Sequence, residues 1–334
     1  MDLTTLLPDR ASLPAPDPGA IEEIEARIAD ILRPPGALSR LDEIASWLAG
    51  WQGTPTPAVA RPHGLIFAAD HGVTAEGVSA FPADVTGAML AAFQASKASV
   101  SALASVAGAE VTAIDVGVGN PTGNIRREPA LEPERFAEVF EAGRQAVRDL
   151  DTDLLILGEM GIGNTTAAAA VTAAVFDEDP AEFVGRGTGV DDEQYANKVD
   201  VVADAVRRLE AEVTQLEVLR QVGGSELVAI AGALIEARMS SIPVLLDGYI
   251  ATSPALVLAA IDPDLVAHCR AGHCSAEPGH RRGLDALGLA PLLTLNMALG
   301  EASGAMAAVP LVKMACALVN DVPTFAEWFG NDAQ

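Results

Sequence analysis

Residues 158 to 166 read GEMGIGNTT, after the apolar run LLIL and before the alanine tract AAAAV. An ionisable Glu159 and three glycines, Gly158, Gly161 and Gly163, stand where a buried strand hands over to a helix. A tight turn with Thr165 or Thr166 as helix cap explains part of this composition. The rest describes an anion site, with backbone N–H groups and a helix N-terminus aimed at one point and Met160 and Asn164 in the same loop. The stretch is neither a GxxxxGKS/T phosphate loop nor a GxGxxG dinucleotide fingerprint. A second glycine-rich piece, GRGTGVDDE, holds Gly187 and Thr188 and precedes a helix carrying Lys198. Alone, Lys198 reads as a partner for an acid on its own helix. Beside two glycine loops it reads as a counter-charge for a phosphate.

The other glutamate set among small residues is Glu301 in LGEASGA, preceded by Leu299 and Gly300, with no cation among its immediate neighbours. If buried, its pKa rises and it becomes a competent base near neutrality. If exposed at a helix start, it only complements the macrodipole. The segment HCRAGHCSAEPGH gathers His268, Cys269, His273, Cys274 and His280. Their spacing fits none of the common structural zinc patterns, so no metal is expected, and Ser275 reads instead as a hydrogen-bonding group for a polar substrate. His71, in ADHG, has no Ser or Cys nucleophile motif nearby and is assigned to loop architecture.

These groups need a scaffold that brings distant loops together. Short apolar runs at GLIFAA, EVTAIDV, DLLILG, IPVLLD and DLVAHC alternate with alanine-rich helical stretches, the pattern of an α/β fold with a parallel sheet flanked by helices. The unusual residues follow the strands, and ligands in such sheets bind outside the strands' carboxyl ends. Helices are expected at AIEEIEARIADIL and SRLDEIASWLAGW, and the chain from about Pro291 reads as wholly helical.

The 334 residues allow one large domain and a smaller one, with hydrophobic residues at 50 % and aromatics at only 4 %, so small aliphatics fill the core. A mean hydropathy of +0.27 without an expected membrane span points to much buried surface and to a homo-oligomer. The net charge of −25 argues against nucleic acid or an anionic membrane as partner. Three cysteines and a start without signal-peptide features lead to free thiols and a cytoplasmic location as expectations.

Taken together, ADHGVTAEGVSAFPADVT, GEMGIGNTT, GRGTG with Lys198, GGSELVAIAGAL, PVLLDGYIATSPAL, and AGHCSAEPGH through LGEASGA resemble the nicotinate-nucleotide–dimethylbenzimidazole phosphoribosyltransferase family. The resemblance runs from about residue 30 to 328. It implies transfer of 5-phosphoribosyl from nicotinate mononucleotide to an aromatic lower-ligand base, giving α-ribazole phosphate for the cobamide nucleotide loop. It implies Glu301 as catalytic base and Glu159 as a second active-site carboxylate. By the same resemblance Gly161, Gly163, Asn164, Thr165, Gly187, Thr188 and Lys198 hold the nucleotide and its phosphate. Ser275, Leu299 and Gly300 lie near the nicotinate nucleotide, and Ser79, Ala88 and Met160 near the acceptor. It further implies no cofactor, a homodimer, a large Rossmann-like domain over 36–289, and a small helical domain from 1–35 and 290–334.

Members commonly have glutamine where this chain has Ala88, arginine where it has Ala298, and glycine where it has Ala302. The departures lie on the acceptor side, so they bear on base identity more than on reaction class. Two other readings are a noncatalytic nucleotide-binding protein and an NAD-linked oxidoreductase. Retention of both Glu159 and Glu301 weighs against the first, and the lack of GxGxxG after the first strand against the second.

Overall fold

The computed structural model describes residues 2–187 and 189–330. Thr188, one of the expected nucleotide contacts, lies outside the described residues.

Strands β1 (Pro62–Ala69), β2 (Glu110–Gly117), β3 (Leu154–Met160), β4 (Val244–Leu246) and β5 (Cys269–Ala271) form one parallel sheet in the order β2-β1-β3-β4-β5. This is the α/β fold expected from the alternating runs. The helices are α1 (Pro18–Asp30), α2 (Ser39–Gln52), α3 (Val85–Gln94), α4 (Ser99–Ala107), α5 (Pro133–Arg148), α6 (Asn164–Phe176) and α7 (Asp192–Arg207). They continue with α8 (Gln215–Val222), α9 (Ser225–Met239), α10 (Tyr249–Ile261), α11 (Pro278–Ala286), α12 (Ser303–Asn320) and α13 (Phe325–Phe329).

The central strands are apolar on both faces because both faces are covered. Leu65 and Phe67 of β1, with Leu155 and Leu157 of β3, join a core built on α5 to α10. The alternate residues Ile66, Leu154 and Ile156 join a second core, whose other members include Ile24 of α1, Leu48 of α2 and Val309 of α12. The period of two along each strand thus sends neighbouring residues to opposite layers. Each such side chain contributes roughly 1.5–3 kcal/mol through burial. Alanines 167 to 170 of α6 are all fully buried, as close helix–sheet packing requires.

The chain runs from β1 out to edge strand β2 and then returns to β3 on the other side of β1, so the topological switch lies between β1 and β3. A crevice opens at the carboxyl ends on either side of such a point. Glu159 pairs in register with Phe67 there, one residue before β3 ends.

Two expectations are corrected. DLVAHC is not a strand: Pro263–Val266 form a 3-10 turn, capped by the Asp262 side chain accepting from Asp264 N at 3.0 Å, and β5 begins only at Cys269. The segment after Pro291 is not wholly helical. It runs beside β5, with Leu292 N donating to Ala271 O at 3.0 Å, and α12 starts only at Ser303. That irregular passage carries Leu299 to Glu301 over the sheet's carboxyl edge. By length and composition alone α12 is apolar enough to span a bilayer, but Lys313 interrupts it and more than half of it is buried within the fold. Its Met306, Val309 and Val312 are fully buried in the second core.

Candidate active site

The loops that follow β1, β3, β4 and β5, with Gly187 and the passage before α12, enclose a cavity of about 320 Å³ at the switch point. β3 ends in Glu159 and Met160, and the chain turns through Gly161 and Gly163 into α6. Gly163, the residue before the helix, has φ +94°, a conformation open to glycine at little cost. The N–H groups of Asn164 and Thr166 are taken by the carbonyls of Gly161 and Gly163 at 3.1 and 3.0 Å. This end of the cavity is therefore presented by Thr165 and Gly187, both of which line it.

Lys198 does not line the cavity. It is 1 % exposed and lies behind the loop, its Nζ donating to Thr165 Oγ1 at 2.8 Å and to Gly185 O at 3.0 Å. An ammonium has three donors, so one remains for a ligand. Burial drives its pKa down to about 8, partly opposed by Glu277. Below that pH the ammonium is charged.

Glu159 is buried, and its Oε2 accepts from Asn164 Nδ2. Desolvation first, then the charges of Glu226 and Asp247, push its pKa up to about 8. At neutral pH Glu159 therefore holds its proton and is a hydrogen-bond donor as well as an acceptor. Glu226 is on α9 behind the loop, where its Oε1 meets His71 Nε2 at 2.6 Å. Both side chains are fully buried, which places His71 in the supporting structure of the loop.

Glu301 stands beside Glu159, on the passage before α12. Gly300, Glu301 and Ala302 have φ of +78°, +62° and +61°, a left-handed turn. For the two non-glycine residues this costs roughly 1–2 kcal/mol each. Ala302 occupies a position where glycine would relieve the strain, which gives that departure from the family pattern a physical meaning. Contacts on both sides hold the turn: Glu301 N donates to Glu159 O at 3.3 Å, Ser303 Oγ to Gly300 O at 2.6 Å, and Ala305 N to Asp247 Oδ1 at 2.8 Å. Glu301 is 5 % exposed, its Oε2 is buried without a partner, and desolvation raises its pKa. Strain retained at a site over-determined by its surroundings is a mark of function.

Ser79, Met160, Ser275, Leu299 and Gly300 line the same cavity. Ser275 is oriented from behind: its N–H donates to His280 Nδ1 at 2.8 Å, and His280 Nε2 meets Thr252 Oγ1 at 3.1 Å. Burial drives His280 down to about 3, so it is neutral and serves as an acceptor. Ala88 is the exception among the acceptor residues: it is exposed on α3 and outside the cavity, while Val85 and Met89 of the same helix line it. One face of a helix is selected by the packing of α3, so neighbouring positions part company.

Among the described residues no group of His, Cys, Asp and Glu has the arrangement to hold a metal ion. His268 packs edge-on to Trp51 with ring centroids 5.9 Å apart, and Cys269 lies in the sheet. His273, Tyr249, Ile250 and Glu277 also line the cavity; they lie in the stretches PVLLDGYIATSPAL and AGHCSAEPGH, but residue type does not single them out within these. Their signal is tertiary. Asp247, just after β4, packs behind His273 with 3.5 Å between Oδ1 and Nε2, and desolvation raises it to about 7.

The arrangement is an apolar cavity with a glycine-rich end and three buried carboxyl groups, Glu159, Glu277 and Glu301. Glu159 is protonated at neutral pH, and Glu277 and Glu301 each have one oxygen without a partner. A phosphoribosyltransferase family model matches residues 13–328. Among similar proteins is the nicotinate-nucleotide–dimethylbenzimidazole phosphoribosyltransferase of Roseobacter denitrificans, 45 % identical over 95 % of this chain and 94 % of that protein. The protein of the same name from Novosphingobium aromaticivorans is 46 % identical over 94 % of this chain and 93 % of that protein. The crystal structure of CobT from Thermus thermophilus superposes with a TM-score of 0.89 at 42 % identity, covering 93 % of this chain and 98 % of that one. This chain belongs to the nicotinate-nucleotide–dimethylbenzimidazole phosphoribosyltransferase family.

Proposed function

We propose that the protein transfers 5-phosphoribosyl from nicotinate mononucleotide to a lower-ligand base such as 5,6-dimethylbenzimidazole, giving α-ribazole 5′-phosphate and nicotinate for cobamide assembly. The observation that carries this reading is the pair of buried carboxyl groups, Glu159 and Glu301, on one cavity whose far end is formed by the glycine loops before Lys198. Simple nucleotide binding needs neither carboxyl group beside an anionic ligand.

In this reading the donor phosphate lies against Thr165 and Gly187, with Lys198 behind them. One ring nitrogen of the acceptor attacks C1′ while the bond from C1′ to the nicotinate nitrogen breaks. Glu301 takes the proton from the other ring nitrogen, and inversion converts the β-nucleotide to an α-product. A desolvated carboxylate is suited to that transfer. The cradle contributes by fixing C1′ between acceptor and leaving group. Nicotinate leaves without pyrophosphate, so the reaction calls for no magnesium.

Incubation with nicotinate mononucleotide and dimethylbenzimidazole tests the activity. Acceptor-dependent release of nicotinate, equimolar with an α-nucleotide, is expected. Release that does not depend on the acceptor would refute transfer.

Lys198→Ala tests the phosphate site. A hydrogen bond to a charged group contributes roughly 1.5–3 kcal/mol, so the KM for nicotinate mononucleotide should rise more than about tenfold. Nicotinate riboside lacks the phosphate and is the control. An equal loss with the riboside would remove Lys198 from that role.

The acceptor end is bounded by Phe81, Val85, Met89 and Met160, with Ala298 at the rim. An apolar pocket discriminates weakly between similar shapes, so benzimidazole and dimethylbenzimidazole should differ by only about tenfold in paired competition. A preference of roughly a thousandfold would mean that a polar group of the cavity, such as the Ser79 hydroxyl, selects one base.

The homodimer, the cytoplasmic location and the division into a large unit (36–289) and a small helical unit (1–35 with 290–334) belong to the same proposal. Support for an apolar interface comes from Phe325, Trp328 and Phe329, which are large and exposed. Support for joining the chain ends comes from Arg27, which donates to Val319 O at 2.7 Å, and from the bridge between Ile31 and Thr324.

A further inference from the structure

One carboxyl group at the anion-accepting end has no place in the chemistry described so far. Glu277 immediately precedes α11, the position from which a capping side chain would accept from the helix's own N–H groups. It makes no such bond. Its Oε1 reaches across the chain to accept from Gly187 N at 3.0 Å, and its Oε2 is buried with no partner. The residue is 9 % exposed and lines the cavity beside Thr165 and Gly187. It therefore occupies a backbone donor that an incoming phosphate would use, and it adds a negative charge where a dianion must bind.

It has little room to withdraw. Pro278 fixes the backbone after it, and the Gly185 Cα lies so close that a Cβ there would overlap Oε2. Two like charges in one buried site do not both stay ionised. We propose that Glu277 is a specificity-determining residue of the phosphate subsite: it holds the Gly187 N–H while the subsite is empty and takes up a proton when the donor phosphate arrives. The neutral acid then donates that proton in a hydrogen bond to a phosphate oxygen.

The groups facing Glu277 are consistent with this. Lys198 on α7 is the nearby cation. The Tyr249 hydroxyl on α10 is held neutral by burial and by Glu277. His280 on α11 is neutral, and Arg281 is the next residue of the same helix. Arg186 on the glycine loop is committed to Asp192 at 2.6 Å. Burial raises the pKa of Glu277 itself, with Lys198 and the Gly187 N–H acting against it.

The inference rests on the phosphate lying at the glycine loops, which Lys198→Ala tests separately. Calorimetric titration of the wild-type protein with nicotinate mononucleotide and with nicotinate riboside, in buffers of different ionisation enthalpy, counts protons taken up. At about pH 7.5, above the phosphate's second ionisation near roughly 6, the nucleotide should take up about one proton more than the riboside. Glu277→Gln keeps the bond from Gly187 N and removes the charge. In that variant the extra uptake should fall to the minor share that Lys198, with its pKa of about 8, takes up as it meets the phosphate. The ratio of nucleotide KM to riboside KM, which should climb with pH in the wild type between about 6.5 and 7.5, should become nearly flat. Equal proton uptake for both ligands in the wild type would overturn the inference, as would an undiminished climb in Glu277→Gln. If Lys198→Ala also fails to separate nucleotide from riboside, the phosphate assignment falls with it.

Discussion

Glu301→Gln should leave nicotinate mononucleotide bound and reduce kcat by about 10²–10⁴-fold, the contribution expected of a positioned general base. The change keeps the shape and the left-handed turn and removes only the ability to accept a proton. What activity remains should come from positioning. The pH profile adds a second readout. A base must be ionised to act, and burial raises the pKa of Glu301, so the wild-type kcat should rise with pH through a limb above the ordinary carboxylate range. The variant should lose that limb. A kcat within about threefold of wild type, with the limb retained, would take the role away from Glu301. Glu159→Gln should cost less. Glu159 is pushed up to about 8 and is already neutral near pH 7, so glutamine reproduces its charge state and can still accept from Asn164.

Gly158→Ala is expected to damage activity strongly without touching substrate. A Cβ at Gly158 would overlap the backbone nitrogen, Cα and Cβ of Ala302. Neither side can yield cheaply: Gly158 is in the middle of β3, and Ala302 is the last residue of the strained turn. Overpacking of this kind costs typically about 1–3 kcal/mol. The easier relief is to move the turn, and the turn carries Glu301. A misplacement of about 1 Å is enough to lower activity roughly 10²-fold, so kcat/KM should fall by about that factor while the protein still folds. Thermal unfolding and kinetics on the same sample check both parts. A variant with both wild-type stability and wild-type kcat/KM would show that the contact between β3 and the turn does not position the base.

How much of this is legible in the sequence follows from where each signal resides. β1 and β3 are readable because both faces of a central parallel strand are buried, so their apolar character is continuous. DLVAHC misleads because its apolar residues serve a capped turn, and the three-residue strand that follows contains Arg270. Glu159 and Glu301 stand out as acids among small residues. The strained turn around Glu301 does not, since Ala302 carries no mark of positive φ. Lys198 is legible as a cation near glycine loops, but its place behind Thr165 depends on the packing of α7. Ala88 and Met89 are adjacent in sequence, and only the orientation of α3 decides which one meets the cavity. Glu277, before Pro278, has only the position of a helix cap. Its bond to Gly187, 90 residues away, exists only in the folded chain.

The central claim is that one cavity holds the donor phosphate at the glycine loops and the acceptor's proton at Glu301. A crystal structure of the Glu301→Gln protein with nicotinate mononucleotide and dimethylbenzimidazole bound tests it most directly. The phosphate oxygens should lie within hydrogen-bonding reach of Gly187 N and Thr165. The residue 301 amide should lie about 2.6–3.2 Å from the acceptor nitrogen remote from C1′. A phosphate found instead against Ser79 and Met89, or an acceptor whose free nitrogen faces away from residue 301, would contradict the account.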